Sequence, residues 1–279
     1  MMLNQTLATL RMYGIRPSKR SGQHHVVDPI VLEKMVDHAH ISHEDVILEI
    51  GAGIGNLTRL IAQRAGKVIS IERDRRFIRI LHGQLRGLSN VQIVHGDALH
   101  IELPKFNKVV ANLPYGISSD ITFRLLEQKF EFAVLMYQQE FAERMVAKPG
   151  SDDYSRLTVN TYYRARVELL GKVPPEAFVP QPKVTSAIVR LSPREPPFEV
   201  ADEKIFFNVI RALFQHRRQR VRNALCHSFD EVFPDVKLRK SQKRELLDKK
   251  LPEELVDVRV MDLAPEKFGK ITDHLIVNK

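Results

Sequence analysis

The chain has 279 residues, of which 43% are hydrophobic and 28% charged, a composition typical of a soluble globular protein with one or two domains. No apolar run approaches the ~20 residues of a membrane-spanning helix, the N-terminus has no signal-peptide pattern, and the single cysteine, Cys226, excludes an internal disulfide, so we expect a cytoplasmic protein with no membrane partner. The net charge of +9 favours an anionic partner such as nucleic acid.

The first half of the chain predicts a parallel sheet covered by helices. A first helix is expected after a capping residue, Asp28. Short runs rich in β-branched residues then alternate with segments whose apolar residues recur every three or four positions, which is typical of strand–helix repeats. The helices between the strands would be capped by Asn56, Asp74 and Ser119. The predicted strands are 45–50, 67–72, 91–96, 108–112 and 132–137.

The second half of the chain differs in pattern. Residues 156–173 and 185–193 are predicted to form two further strands, on either side of a proline-rich segment. Three prolines within 192–198 indicate a linker, and the sequence beyond it has a helical period. We therefore predict an α/β domain over residues 1–195 and a small helical domain over residues 196–279.

A glycine-rich loop follows the first predicted strand. Gly51, Gly53 and Gly55 stand between a strand and a helix, where bare backbone permits a tight turn and close approach of a ligand. Asn56 occupies the last position of the dinucleotide-binding pattern G-x-G-x-x-G. This substitution disfavours a pyrophosphate ligand and favours another nucleoside cofactor.

Two carboxylates end the next two predicted strands. Glu72 could accept hydrogen bonds from both hydroxyls of a ribose. Asp97 could accept one from an exocyclic amine such as that of adenine. Because the carboxyl ends of parallel strands share one edge of the sheet, the glycine loop, Glu72 and Asp97 together predict an adenosine-binding site.

The fourth strand ends in Asn112-Leu113-Pro114-Tyr115, beside this predicted site. The amide oxygen of Asn112 and the carbonyl of Leu113 could accept the two N–H groups of an adenine amino group, which would free the nitrogen lone pair for attack on a sulfonium methyl. Pro114 would fix the turn, and Tyr115 would stack on a base that has been flipped out or is unpaired. The pattern predicts adenine N6 methylation.

These segments resemble the KsgA/Dim-type rRNA adenine N6,N6-dimethyltransferases from about residue 16 to at least residue 225. The resemblance implies a Rossmann-like sheet that binds S-adenosylmethionine (SAM), with a small C-terminal helical domain. It also implies dimethylation of two adjacent adenosines in the 3′-terminal hairpin loop of small-subunit rRNA, during ribosome biogenesis. The matching segments are SGQHHVVD, LEIGAGIGNLT, IERD, GDAL, ANLPYGISSDI, PPEAFVPQPKVTSAIVRL and FQHRRQRVRNAL.

The resemblance also implies roles for individual residues. Phe178 would sandwich the target adenine opposite Tyr115, and Asn112 would lie between the cofactor and the base. The implied cofactor-binding residues are His24, Val26, Gly51, Gly53, Glu72, Asp97 and Asn112. The family usually has Phe where this chain has His25, and more often Gly where it has Ser155. We expect no metal ion.

Positive charge is concentrated in two clusters that could contact a phosphate backbone. Residues 1–27 contain no Asp or Glu. Their basic residues are Arg11, Arg16, Lys19 and Arg20. The second cluster, which we interpret as the RNA-binding element, comprises Arg217, Arg218, Arg220 and Arg222. We expect a monomer whose partner is small-subunit rRNA or a pre-30S-type subunit.

Three other functions are compatible with parts of the sequence. One is an adenine methyltransferase acting on large-subunit rRNA, which the proline-rich segment and the helical tail disfavour. Another is a SAM-binding assembly or transcription factor without activity, although intact Asn112, Tyr115 and Phe178 argue against it. A NAD-dependent dehydrogenase is disfavoured by Asn56 and by the lack of a suitable catalytic His or Tyr-x-x-x-Lys arrangement.

Overall fold

The computed structural model describes residues 2–16 and 24–276. The chain divides into two compact units, the first comprising Met1–Ala142 with Arg166–Pro193 and the second Glu143–Ala165 with Arg194–Lys279. The predicted boundary near residue 196 assigns 143–165 to the first domain, whereas in the structure this segment packs within the second unit. Across the described ranges, no helix has both the length and the apolar content needed to cross a membrane.

The first unit alternates strands and helices, as the apolar pattern predicts. Its helices are α1 (Met2–Met12), α2 (Pro29–His38), α3 (Asn56–Ala62), α4 (Arg75–Gln84) and α5 (Ser118–Leu126), and α6 (Gln139–Met145) runs into the second unit. Its strands are β1 (His25–Val26), β2 (Val46–Ile50), β3 (Lys67–Glu72), β4 (Val91–His95), β5 (Lys108–Asn112), β6 (Phe132–Gln138), β7 (Ala165–Val173), β8 (Phe178–Val179) and β9 (Ser186–Pro193).

Seven of the described strands form one sheet in the order β4-β3-β2-β5-β6-β9-β7. The five from β2 to β6 are parallel, and β9 joins β6 antiparallel. β1 and β8 form a separate antiparallel pair. The predicted Rossmann-like α/β fold is therefore confirmed, and the carboxyl ends of β2, β3, β4 and β5 meet at one edge.

One face of this sheet is sealed by α2 and α3. Met35 and Ile61 are completely buried there, together with Ile47, Val68 and Val110 from the strands. Burying each such side chain contributes roughly 1.5–3 kcal/mol. The strands are apolar on both faces because helices cover both, which explains their continuous β-branched runs.

Two of the predicted helix caps are confirmed. The side chain of Asp28 accepts a hydrogen bond from the amide of Ile30 at 2.9 Å, at the start of α2. Asp74 accepts one from the amide of Arg76 at 2.9 Å, at the start of α4. Each carboxylate satisfies an amide that the first helical turn leaves without a partner.

The other two predicted caps are wrong. Gly55, with φ of +89°, precedes α3, so Asn56 is already inside the helix and its side chain bonds elsewhere. The helix α5 begins at Ser118 directly after a 3₁₀ turn over Tyr115–Ile117, which places Ser119 in its first turn. In both cases the preceding turn, rather than a polar side chain, determines where the helix begins.

The strand predicted over residues 156–173 is wrong in its first half. Residues Arg156–Arg164 form a helix, α7, and only Ala165–Val173 form the strand β7. The amide of Ser155 donates to the Thr158 hydroxyl at 3.1 Å where α7 begins. The threonines and aromatic residues of this segment favour strands locally, but burial around most of the helix overrides that preference. The buried residues of α7 are Leu157, Thr158, Val159, Asn160, Thr161 and Tyr163.

The second unit is helical around its own core, in agreement with the predicted fold class. The completely buried residues Phe206, Leu213, Leu247 and Phe268 come from three different helices and pack in one cluster with Leu225. Besides α7, the helices are α8 (Glu203–Gln215), α9 (Val221–His227), α10 (Phe229–Val232), α11 (Lys240–Lys250), α12 (Glu253–Val256) and α13 (Pro265–Ile276).

Candidate active site

A cavity of about 280 Å³ opens at the carboxyl edge of the parallel strands in the first unit. It lies where β2 and β5 adjoin, the point at which the strand order reverses and where open α/β sheets bind ligands. Ten residues predicted from the sequence line this cavity. They are His24, Val26, Gly51, Gly53, Glu72, Asp97, Asn112, Leu113, Pro114 and Tyr115.

The glycine loop after β2 presents bare backbone to this cavity. Gly51 and Gly53 have φ of +78° and +57°, in the left-handed region that favours glycine. A Cβ on Gly51 would lie 3.2 Å from Cδ of Pro114, and one on Gly53 would lie 2.9 Å from Nδ1 of His25. A side chain at either position would therefore strain the loop and displace a neighbouring wall of the cavity.

Glu72 is fixed at the end of β3 by two backbone amides. The amide of Gly53 donates to Oε2 and that of Asp74 to Oε1, both at 2.8 Å. Burial raises the pKa of Glu72, and the backbone hydrogen bonds oppose this rise. Each carboxylate oxygen retains a lone pair, so the carboxylate is oriented to accept two further hydrogen bonds, as a ribose diol would supply.

Asp97 lies at the next strand end, where the amide of Leu99 donates to Oδ1 at 3.0 Å. Arg73 donates to Oδ2 at 3.2 Å. The Leu99 hydrogen bond is the main cause that holds the pKa of Asp97 below its usual value, and Arg73 adds to it. Asp97 is therefore an ionised acceptor at neutral pH, as recognition of an exocyclic amine requires.

The side-chain amide of Asn112 has a defined orientation. Its Nδ2 donates to the carbonyl oxygen of His24 at 2.8 Å. A carbonyl can only accept, so the amide nitrogen must face His24. The amide oxygen is therefore the end that remains for a ligand in the cavity.

Tyr115 is held at its hydroxyl and covered on one face. Its hydroxyl lies 2.5 Å from Oγ of Ser186, a buried residue at the start of β9. The ring of His24 stacks on that of Tyr115, with centroids 5.5 Å apart and planes inclined by 26°. Nδ1 of His24 donates to the carbonyl of Pro180 at 2.6 Å, since that oxygen can only accept. The ring of His24 therefore covers one of the two faces that Tyr115 offers for stacking.

His25, where the family usually has Phe, makes an aromatic contact in this structure. The His25 ring meets Phe77 edge-on at 5.1 Å and lies directly over Gly53. Burial lowers the pKa of His25 to about 4, with a smaller contribution from His24, so the ring is neutral at physiological pH. A neutral heterocycle packs here much as the usual Phe would.

The structure places Phe178 in the core rather than in the lining of the cavity, so the role that the resemblance implies for it stays a prediction. Phe178 is 1% exposed and packs in the core cluster that contains Val26, Leu32 and Ile188. In β8 it pairs with Val26 of β1, and it is absent from the cavity lining among the described residues. The pairing of β8 with β1, which is distant in sequence, directs the ring inward.

The four arginines of the predicted RNA-binding cluster differ in their contacts. Arg218 is exposed, and its side chain has no hydrogen bond or ion pair within residues 2–16 and 24–276. The other three pair with acids of their own unit. These pairs are Arg217–Asp152, Arg220–Asp257 and Arg222–Asp248, at 3.5, 3.0 and 2.8 Å. In the N-terminal cluster, Lys19 and Arg20 lie outside the described residues.

Among the polar residues that line the cavity, Glu49 and Asn56 were given no binding role from the sequence. Glu49 is buried at the end of β2, where burial raises its pKa to about 7 while hydrogen bonds from Thr58 and Ser70 oppose the rise. The Nδ2 of Asn56 donates to Oγ1 of Thr6 and to the carbonyl of Val26, at 3.1 and 2.9 Å. A carboxylate inside an apolar strand was a sequence signal for Glu49, whereas nothing local indicated the partners of Asn56.

Comparison with known proteins decides the family. The model of the family described as ribosomal RNA adenine dimethylase matches residues 16–260. The chain belongs to this family. The predicted class, an rRNA adenine methyltransferase, and the resemblance carried by the sequence motifs are thereby confirmed.

Curated archaeal relatives extend over nearly the whole chain. One from Methanosarcina barkeri, named "Probable ribosomal RNA small subunit methyltransferase A", is 45% identical over 96% of this chain and 90% of its own length. A protein of the same name from Methanopyrus kandleri is 49% identical over 95% of both chains. The similarity therefore includes both units.

Two solved structures share the fold along most of the chain. A dimethyladenosine transferase from Plasmodium falciparum aligns with a TM-score of 0.74 and 32% identity, covering 89% of this chain and 96% of its own. The 23S rRNA methyltransferase ErmE aligns with a TM-score of 0.64 and 30% identity, covering 90% and 98%.

Proposed function

We propose that this protein uses SAM to dimethylate N6 of two adjacent adenosines in the 3′-terminal hairpin loop of small-subunit rRNA. The observation that carries the proposal is the orientation of Asn112, whose amide oxygen remains for a ligand beside Glu72 and Asp97 in one cavity. The archaeal relatives, named for small-subunit methylation, support the choice of subunit.

The residues of the cavity fit SAM. The bare backbone of Gly51 and Gly53 leaves room for a chain that a Cβ would exclude. The fixed carboxylate of Glu72 matches a ribose diol, and the ionised carboxylate of Asp97 matches the adenine amine. When bound, SAM supplies a methyl group activated by a sulfonium. The side chains and backbone of the protein bind and orient the target base.

Asn112 and Leu113 activate the target nitrogen. The amide oxygen of Asn112 and the carbonyl of Leu113 accept the two N6 hydrogens and favour a pyramidal nitrogen whose lone pair points at the methyl carbon. With SAM bound, these residues would hold N6 in place to take its methyl group. The N–C bond would form as the S–C bond broke, the S–C electron pair would stay on sulfur, and one N6 proton would pass to solvent. A second transfer, to the monomethylated nitrogen with its one remaining hydrogen bonded to one of these acceptors, would give the dimethyl product.

Tyr115 orients the base by stacking, which requires the His24 ring to move off the face of Tyr115 that it covers. The Ser186 contact fixes the plane of the Tyr115 ring, on which the flipped adenine stacks. With ring centroids only 5.5 Å apart, no base fits between Tyr115 and His24. The adenine therefore displaces His24 from this face and takes its place.

The proposed partner is small-subunit rRNA or a pre-30S-type subunit, bound by a cytoplasmic monomer without a metal ion. Of the predicted RNA-binding arginines, Arg218 is the one free to meet a phosphate without breaking an existing ion pair. We assign it the leading role in that cluster, and a supporting role to Arg217, Arg220 and Arg222.

The similarity to ErmE, a 23S rRNA methyltransferase, favours testing a second function, methylation of large-subunit rRNA. Purified small and large subunits lacking adenine methylation, incubated with the protein and methyl-labelled SAM, separate the two. The proposal predicts label in small-subunit rRNA only. Label confined to the large subunit would favour the second function, and SAM binding without label in either would favour an assembly factor that has lost its activity.

A further inference from the structure

The outer face of α4 carries a row of basic side chains, here called the α4 stripe: Arg75, Arg79, His82 and Arg86. The first three lie in the helix, and Arg86 lies in the turn that ends it. At 100° per residue the four fall within about 60° of arc, and they extend over about 16 Å. The buried residues of α4, Phe77, Ile80 and Leu81, lie on the opposite face.

The stripe is exposed and unneutralised. All four side chains are exposed, and none has a hydrogen bond or ion pair with any residue in the described ranges. Residues 75–96 contain no Asp or Glu. By contrast, Arg76 lies to the side of the stripe and is paired with Asp74 at 2.6 Å. Positive charge on this face is therefore available to an external anion.

The helix α1, which neighbours the stripe, belongs to a segment that also lacks acidic residues. The helix α1 lies beside α4, because Gln84 donates to the hydroxyl of Thr9 at 3.4 Å and a Cβ on Gly83 would lie 2.8 Å from the hydroxyl of Tyr13. Residues 1–27, to which α1 belongs, contain no acid either. No carboxylate of these two segments would repel a polyanion.

The stripe starts at the rim of the candidate active site. Arg73, Asp74 and Phe77 line the cavity, so Arg75 stands within two residues of its wall. From there α4 runs back along the sheet, away from the carboxyl edge, as a helix that follows a parallel strand must. A polyanion bound along the stripe would have one end at the cavity.

We propose that the α4 stripe binds the phosphate backbone of the rRNA segment that flanks the target nucleotide. This inference rests on the proposed function for the identity of the polyanion. A row of exposed arginines without acids suits phosphates, whose binding gains from counterion release. The stripe also supplies unpaired positive charge in the first unit. In the second unit, by contrast, three of the four clustered arginines are already in ion pairs.

A charge-matched pair of variants tests the proposal. The variant R75Q/R79Q/R86Q removes three charges from the stripe. The control K67Q/K105Q/K129Q removes three exposed charges close to where β3, β5 and β6 begin, at the sheet edge opposite the cavity. Affinity for a naked RNA containing the 3′-terminal hairpin and its stem is measured by fluorescence anisotropy from about 0.05 to 0.2 M KCl.

The stripe variant is expected to bind this RNA at least about tenfold more weakly than the wild type, with a salt-dependence slope reduced by about 2 to 3. The control should stay within about twofold of the wild type in affinity. SAM binding, measured by calorimetry, should be unchanged in both and verifies that the site is intact.

An unchanged affinity and slope in the stripe variant, or an equal loss in the control, would overturn the proposal. Normal binding to naked RNA with weakened binding to whole subunits would also overturn it, because the stripe would then contact a ribosomal protein. Methylation of subunits by the wild type tests the proposed function separately, since the binding experiment does not depend on catalysis.

Discussion

Asn112 is the residue on which the proposed chemistry depends. Its amide is oriented by a contact with the backbone of His24, so the catalytic oxygen is positioned before any ligand binds. Such preorganisation spares the transition state the cost of turning a dipole. It also joins the segment that carries His24 to the reacting group.

Asn112→Ala tests that role. The loss of one acceptor for the developing positive nitrogen should lower kcat by about 10²- to 10³-fold, in line with the loss of one preorganised dipole. SAM affinity by calorimetry should change little, because Glu72 and Asp97 are untouched. Asn112→Asp is the control, since it keeps an acceptor but loses the donor to His24. Its kcat should lie between those of the wild type and Asn112→Ala. A kcat of Asn112→Ala close to that of the wild type would contradict the assignment.

His25 links stability to pH, because the folded protein holds it neutral. With the pKa lowered from 6.5 to about 4, the unfolded chain binds more protons than the folded chain between these values. Stability should therefore rise with pH across this window and fall on acidification, by up to about 1.4 kcal/mol per pH unit from this group.

The substitution His25→Phe should remove this contribution. The difference in free energy of unfolding between His25→Phe and the wild type, from urea denaturation at pH 5 and pH 7, isolates His25 because the other groups cancel. The variant should gain stability relative to the wild type at pH 5. A difference that does not vary with pH would show that His25 is not held neutral by burial.

At the scale of elements, Asn56 fastens α1 to the cofactor loop. One Nδ2 group bonds both Thr6 of α1 and the Val26 carbonyl of β1, while Leu10 packs with Ile54 and Phe77 beneath. The helix α1 is therefore held against residues that line the cavity, although it lies far from the glycine loop in sequence.

Asn56→Ala should loosen α1 without unfolding the sheet. The loss of two hydrogen bonds costs about 1–3 kcal/mol and should speed hydrogen exchange of residues 2–12. Mass spectrometry of peptides from this segment gives the measurement, and Thr6→Val, which removes only one of the two bonds, should have a smaller effect. Unchanged exchange in Asn56→Ala would mean that packing of Leu10 alone holds α1 in place.

The arginines around α9 are expected to separate into structural and RNA-facing groups. Arg217 also donates to the carbonyls of Asp152 and Tyr154, at 2.5 and 3.3 Å, so Arg217→Gln should destabilise the second unit by about 1 kcal/mol. Arg218→Gln should leave the free energy of unfolding unchanged and weaken RNA binding. Thermal denaturation and RNA anisotropy on both variants check this division, and equal effects of the two on stability would refute it.

At the scale of the whole molecule, the sequence was most informative where chemistry and chain position coincide. The strands were predictable because β-branched runs buried on both faces differ sharply from the amphipathic helices between them. The cavity was predictable because Gly51, Glu72, Asp97 and Asn112 all lie at or shortly after strand ends, and parallel topology brings those ends together.

The features that the sequence did not reveal depend on contacts between residues that are far apart in the chain. The helix α7 forms from strand-favouring residues because tertiary burial outweighs local preference. The inward direction of Phe178 follows from the pairing of β1 with β8, across about 150 residues of chain. Arg217, Arg220 and Arg222 form ion pairs with acids that lie up to 65 residues away in the sequence, and no local pattern indicates these pairs.

The most direct test of the account identifies the methylated nucleotides themselves. Small subunits lacking adenine methylation are incubated with the protein and SAM, and the rRNA is digested and mapped by mass spectrometry. We predict two adjacent N6,N6-dimethyladenosines in the 3′-terminal hairpin loop, absent when Asn112→Ala replaces the wild type. Methyl groups at any other position, or on an atom other than N6, would contradict the central claim.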